Sequence, residues 1–187
     1  MSDLRWVALA ALCTAALAFV LGVRLAFERP RGRHRYLASR VSGAILLADA
    51  IAIAWAPVPP GRAAAAIAVL AGATSLFLWA AWTNRTRKLG LAFAGATPGH
   101  VQTRGPYRIV RHPFYTSYLV AFMGGALAAG SPWLLPALAA GILTYWRAAR
   151  EEERAFARSE LAEAYRSYAR RVGMFLPRPG ILVGGRD

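Results

Sequence analysis

Long apolar runs, parted by arginine-rich segments, constrain this chain more than any other feature. A helix needs roughly 20 predominantly apolar residues to cross the hydrocarbon core of a bilayer. Inside that core every backbone N–H and C=O must find a partner, which restricts spanning segments to helices and closed barrels. Continuous runs of this length, without alternation of apolar and polar residues, predict helices. The first covers about Leu4 to Leu25, the second about Tyr36 to Ala56 and the third about Ala63 to Trp82. A fourth starts near Pro113 and ends near Gly130, and a fifth runs to about Trp146. The last two join at Gly130-Ser131-Pro132; each is short for a span, which suits a tilted or partly inserted hairpin. From Arg147 to Arg171 the chain is strongly charged yet keeps a helical pattern. The expected fold is all-α: a polytopic membrane protein with about five transmembrane helices, the last two a hairpin, plus a cytoplasmic C-terminal helix. One domain is expected, divided into an N-terminal three-helix part (1–83), a cytoplasmic loop (84–112) and the hairpin with its C-terminal helix (113–187).

Charge excludes some classes and orients the rest. Twenty-three Lys and Arg face nine Asp and Glu, a formal net charge of +14. In a soluble chain that balance points to nucleic acid. Here the arginines stand between apolar runs, so the cations belong at membrane faces and no nucleic-acid partner is expected. The segments after the first, third and fifth runs are rich in Arg, whereas the Pro57–Arg62 and Gly130–Pro132 turns carry almost none. The positive-inside rule then puts the N-terminus outside and the C-terminus in the cytoplasm. Cys13 is the single cysteine, so neither an intrachain disulfide nor a thiolate zinc site can form. His34, His100 and His112 are dispersed, and no metal is expected. The first run is too long for a signal-peptide core and reads as a retained helix. No internal repeat of the transporter kind is visible.

Some polar residues fall inside or beside the runs. Asp49 lies deep in the second, where a carboxylate must face the bundle or a polar cavity. It is either a hydrogen-bonded structural group or a substrate or cofactor contact, and with Arg40 it is a candidate for the lining of a substrate path. Gly124 and Gly125 permit close helix packing. The longest polar connection, Asn84 to Arg111, has the length of a functional loop or lid.

The densest polar and aromatic stretch is Gly105-Pro106-Tyr107-Arg108-Ile109-Val110-Arg111-His112-Pro113-Phe114-Tyr115. Pro113 suits the first position of a helix, where its missing N–H has no intrahelical partner. The free amides of that helix start attract anionic groups. The hairpin returns the chain, so Glu151 and Glu152 are expected beside Arg111 and His112. Cations and anions converging there suit a zwitterionic small molecule; the plain alternative is an interfacial salt-bridge network.

These residues resemble a known signature. Gly105-Pro106-Tyr107 with Arg111-His112-Pro113 and Tyr115 is similar to the "GPYxxxRHPxYxG" motif of the isoprenylcysteine carboxyl methyltransferase family and of related integral-membrane phospholipid methyltransferases. Arg147 with Glu151-Glu152 resembles their "RxxxEE". Tyr165, Tyr168, Arg171-Val172 and Phe175-Leu176-Pro177 resemble the closing "YxxYxxRVxxFLP". The likeness covers about Gly105 to Pro179. It departs at Ser117, where the family usually has Gly, and at Leu161-Ala162, where many members have Phe-Gly, so a continuous helix is expected before Tyr165.

The resemblance implies an S-adenosylmethionine-dependent methyltransferase with a cofactor pocket at the cytoplasmic end of the last helices and a lipid-facing tunnel. It implies cofactor binding by Gly105, Tyr107, Arg111, His112, Pro113, Tyr115, Glu151 and Glu152, and catalytic roles for Arg171, Glu152 and Arg111. The implied acceptor is a lipophilic or prenylated molecule, or a membrane lipid headgroup. Two other readings stand beside it. A membrane sterol-type reductase would bind a nicotinamide cofactor instead; a non-catalytic binder of anionic lipid would bind neither.

Overall fold

The structure, a computed structural model, describes residues 4–27, 35–86 and 99–178. Lys88 and much of the Asn84–Arg111 connection, with any lid it forms, lie outside the described residues, as do His34 and the chain beyond Arg178. The α-helices are α1 (Arg5–Ala26), α2 (Arg35–Trp55), α3 (Pro60–Thr83), α4 (Pro113–Ala129), α5 (Leu135–Ala157) and α6 (Ala162–Arg171). Short 3₁₀ turns cover Gly105–Arg108 and Pro132–Leu134. The described residues hold no strand; an isolated parallel bridge joins Val110 and Gly173.

The all-α membrane fold expected from the apolar runs is the fold observed. Among the described residues α1, α2 and α3 are long and apolar enough to cross a bilayer. Helix α4 has 17 residues, and α5 turns charged after Trp146, which makes the hairpin arms short. Exposed tryptophans mark both ends of the bundle: Trp6, Trp55 and Trp133 at one, Trp79, Trp82 and Trp146 at the other. Amphipathic rings favour the headgroup level, so they outline an apolar slab between two interfaces.

Helix α4 is the hub and packs against α1, α2, α3 and α5. Rings fill the seam: Phe77 lies 4.6 Å from Phe19 and 5.1 Å from Phe114, centroid to centroid. Close approach is possible because Gly124 and Gly125 carry no Cβ. A Cβ on Gly124 would stand 2.9 Å from Leu70 Cγ, and one on Gly125 would stand 2.6 Å from Asp49 Cγ. Helix packing in lipid depends on such small residues. Gly125→Ala should therefore destabilise the fold by about 1–3 kcal/mol, the usual cost of overpacking, read as a lower unfolding midpoint in detergent. An unchanged midpoint would show that Asp49 can move aside.

Gly130 ends α4 in the left-handed region at φ 62°, the glycine C-cap. Arg62 reaches under this turn and donates to the Pro57 carbonyl. One expectation is corrected: the helix does not continue through Leu161-Ala162. It breaks at 158–161, where Ser159 Oγ donates to the Phe156 carbonyl and accepts from the Leu161 N–H. A serine that bonds its local backbone competes with the helical ladder. The break lets α6 fold back, so that Tyr165 stacks on Phe156 at 4.3 Å.

Candidate active site

The stretch before α4 is held from several sides. Gly105 adopts φ 59°, and a Cβ there would meet Thr83 Oγ1 at 2.5 Å. This glycine seats the 3₁₀ turn on α3 and buries Tyr107. Tyr107 Oη accepts from Asn84 Nδ2 at 3.1 Å, and its carbonyl accepts from the Tyr168 hydroxyl at 2.7 Å. The chain after α6 then runs beside residues 110–112: Arg111 N donates to the Gly173 carbonyl at 2.8 Å, and His112 N to Met174 at 3.2 Å. Pro113 opens α4 at the first helical position, as its chemistry favours. Ser117, at the departure from the signature, is buried and donates to the Pro113 carbonyl at 2.7 Å.

Four charged side chains meet at this helix mouth. Arg111 donates through Nε and Nη2 to Glu153 Oε1 at 2.9 and 2.6 Å. Its Nη1 donates to the carbonyls of Ala169 and Val172 at 3.0 and 2.7 Å. His112 lies between two carboxylates, with Nδ1 3.5 Å from Glu152 Oε2 and Nε2 3.5 Å from Glu153 Oε1. Tyr115 donates to Glu152 at 3.3 Å, and Tyr165 to Glu153 at 3.3 Å. Burial alone would lower the His112 pKa, but hydrogen bonds to Glu152 and Glu153 outweigh it and raise the value above 6.5. Burial alone would raise Glu153; its bonds to His112 and Arg111 outweigh that and bring it down to about 2. Arg111 and Glu153 thus neutralise each other in a tight fork. Glu152 lines the cleft, in contact with His112 and Tyr115.

The cleft itself is lined by Phe27, Gln102, Tyr107, His112, Tyr115 and Glu152, with Phe156, Tyr165 and Tyr168 closing the far side. Arg111 and Pro113 also reach it. Of the residues singled out from sequence, then, Tyr107, Arg111, His112, Pro113, Tyr115 and Glu152 come together. Gly105 lies behind the cleft as a support. Glu151 and Arg171 do not line it; both side chains are exposed. The sequence groups Glu153 with Glu151 and Glu152 but gives it no separate role, whereas in the structure it organises the cluster. The signal was present in α5: Tyr145, Ala148 and Ala149 face inward, and helical spacing from them brings 152 and 153 to the same face and turns 151 outward. Asp49 and Arg40 line no part of the cleft.

A second cavity, of about 600 Å³, opens beside the cleft among α1, α2, α4 and α5. Its lining is mainly apolar and includes Ala16, Phe19, Val20, Leu46, Tyr118 and Tyr145. The two spaces share one wall, Phe27, Phe114 and Tyr115. A ring row crosses that wall: His112 stacks on Tyr115 at 5.4 Å, Tyr115 lies 5.1 Å from Tyr145, and Tyr145 5.2 Å from Tyr118.

The sequence profile of the phospholipid methyltransferase family matches residues 62–163. This chain belongs to the phospholipid methyltransferase family. The match takes in nearly all of α3 and the whole of α4 and α5, and with them Arg111, His112, Tyr115, Glu152 and Glu153. Membership carries methyl transfer to membrane lipid-type substrates as the reaction class, and it agrees with the apolar helices. No curated protein and no solved structure matches the chain. Family membership thus decides the reaction class, and the geometry of the two cavities bears on how the reaction is run.

Proposed function

We propose that this protein transfers a methyl group from S-adenosylmethionine to the amine of a membrane lipid headgroup. The observation that carries this reading is the shared wall: a polar, aromatic cleft and an apolar cavity meet at Phe27, Phe114 and Tyr115. Methyl transfer needs donor and acceptor held in line, so positioning is most of the catalytic task. The cleft residues fit the cofactor by their chemistry. Glu152 and His112 offer opposite charges to its amino-acid end, the amides opening α4 suit its carboxylate, and the rings of Tyr107, Tyr165 and Phe156 suit its base. When bound, the cofactor would supply an electrophilic methyl on a sulfonium, whose sulfur would leave as a neutral thioether once the methyl passes to the acceptor nitrogen.

The residues also speak to the acceptor. A carboxylate acceptor is already a nucleophile and would want a guanidinium in the cleft. Arg111 spends its donors on Glu153 and two carbonyls, and Arg171 is exposed outside the cleft. An ammonium must lose a proton before it attacks, and Glu152 stands at the wall to take it. These features favour a lipid amine over a prenylcysteine-type carboxylate. The exposed arginines at the cleft end, Arg85, Arg104, Arg147 and Arg150 among them, support a cytoplasmic site and an outside N-terminus.

The test is methyl transfer from methyl-tritiated S-adenosylmethionine to phosphatidylethanolamine in detergent micelles. Label in the lipid fraction, at the headgroup nitrogen, is the expected result. No label in any lipid, with cofactor-dependent oxidation of a nicotinamide instead, would favour the reductase reading.

A further inference from the structure

The apolar cavity is not apolar throughout. Arg24, in the last turn of α1, lines it, and so do Ser42 of α2 and Tyr145 of α5. The depth of these residues follows from helix direction. Helix α1 runs from Ala16 toward Phe27, and Phe27 belongs to the wall shared with the cleft. At 1.5 Å per residue, Arg24 stands about 12 Å nearer that wall than Ala16. Helix α2 runs the other way, so Ser42 also lies toward the cleft and Leu46 deeper. The polar groups therefore gather at the cleft end of the cavity, and the purely apolar lining lies below them.

Proton bookkeeping gives Tyr145 a direction. Ser42 Oγ donates its single proton to the Ala38 carbonyl at 2.8 Å. The 2.5 Å contact between Ser42 Oγ and Tyr145 Oη must then be a donation from the tyrosine. Tyr145 is 3% exposed, and among the described residues its oxygen meets no other partner. Its remaining capacity is to accept, so it suits an N–H donor in the cavity. Arg24 is a permanent cation with planar donors, suited to a phosphate or similar oxyanion.

We propose that Arg24 and Tyr145 form the headgroup seat for a zwitterionic lipid, Arg24 taking its phosphodiester and Tyr145 its amine, with the acyl chains lying along Ala16, Val20 and Leu46. The proposal rests on the lipid-amine reading of the site and deepens it: these are specificity-determining residues placed outside the cleft, Arg24 on a helix that carries none of the signature and Tyr145 on α5 ahead of its Arg147 and Glu151-Glu152. Ser42 acts on the amine only through Tyr145, as a positioning residue.

The test is native mass spectrometry of the detergent-solubilised protein with three lipids of identical acyl chains: phosphatidylethanolamine, phosphatidylglycerol and diacylglycerol. Wild type should bind phosphatidylethanolamine at least about tenfold tighter than diacylglycerol, the size of one charge-assisted contact. Arg24→Gln should weaken both phospholipids by about tenfold. Tyr145→Phe should weaken phosphatidylethanolamine alone, by about fivefold. Ser42→Ala breaks the same hydrogen bond but keeps the tyrosine oxygen, so it separates lost packing from a lost acceptor; it should retain the preference for phosphatidylethanolamine. Equal binding of diacylglycerol and phosphatidylethanolamine by wild type would overturn the seat. So would an Arg24→Gln variant that binds like wild type, or a Tyr145→Phe variant that loses both phospholipids equally. S-adenosylhomocysteine binding, measured on the same samples, reports on the cofactor reading separately. Its absence in wild type would sink methyl transfer while leaving the lipid comparison readable.

Discussion

Glu152→Gln is expected to lower methyl transfer at least about a hundredfold, the low end of what a positioned base contributes, while the protein stays folded. The substitution keeps the size and a carbonyl oxygen but removes the proton acceptor. The substitution gives up Glu152's share of the hold on His112 but leaves the Arg111–Glu153 clasp in place. The Glu152 side chain is 27% exposed, and its contacts are the 3.5 Å approach of His112 and the 3.3 Å donation from Tyr115. Turnover and the unfolding midpoint, measured together, check this. A variant that keeps wild-type turnover would show that the proton leaves by another route. Glu151→Gln, one residue earlier but exposed, should behave like wild type in both.

Arg111→Ala should have the largest effect on stability of any single change at the site. The guanidinium ties Glu153 on α5 to the carbonyls of Ala169 and Val172 at the end of α6, and the Arg111 and Glu153 side chains are only 10% and 16% exposed. Removing one member of a buried pair leaves an uncompensated charge and costs about 3–5 kcal/mol. Docking of α6 should be lost first, seen as faster amide exchange in residues 162–171. Unchanged exchange there would contradict the clasp.

The same cluster fixes a pH dependence. Glu153 is held at about 2 against an ordinary 4.5, so its contribution is complete above about 4.5 and is lost as the pH falls toward 2. That difference corresponds to something on the order of 3 kcal/mol. His112 is shifted the other way, above 6.5. Its contribution is complete below 6.5 and is lost as the pH rises through its folded value. The unfolding midpoint should therefore be highest between about 4.5 and 6.5. His112→Asn should flatten the alkaline limb and Glu153→Gln the acid limb. A midpoint independent of pH in the wild type would count against this charge arrangement.

Much of this was legible in the sequence because it follows from local rules. Apolar length gave the helices, Pro113 gave the start of α4, and Gly130 gave its end. The short turn at Gly130–Pro132 folds α5 back along α4 and so brings Glu152 beside His112. What was not legible depends on facing and on distant partners. The adjacent acidic residues look alike in one dimension, and only the inward face of α5 separates Glu152 and Glu153 from Glu151. Arg171 sits within a signature, yet its side chain points outward, because α6 presents Tyr165 and Tyr168 to the core instead. The break at 158–161 depends on a serine bonding its own backbone, a competition that composition does not decide. The second cavity needs four helices at once, and no motif marks it.

We propose that the cleft at the mouth of α4 holds S-adenosylmethionine. Calorimetric titration of S-adenosylhomocysteine into the purified protein in detergent tests it most directly, with His112→Ala measured beside wild type. Wild type should show saturable one-site binding, weakened at least about tenfold by His112→Ala, the cost of losing a charged hydrogen-bonding group. A well-folded wild type that releases no heat with S-adenosylhomocysteine, or a His112→Ala variant that binds it equally well, would contradict it.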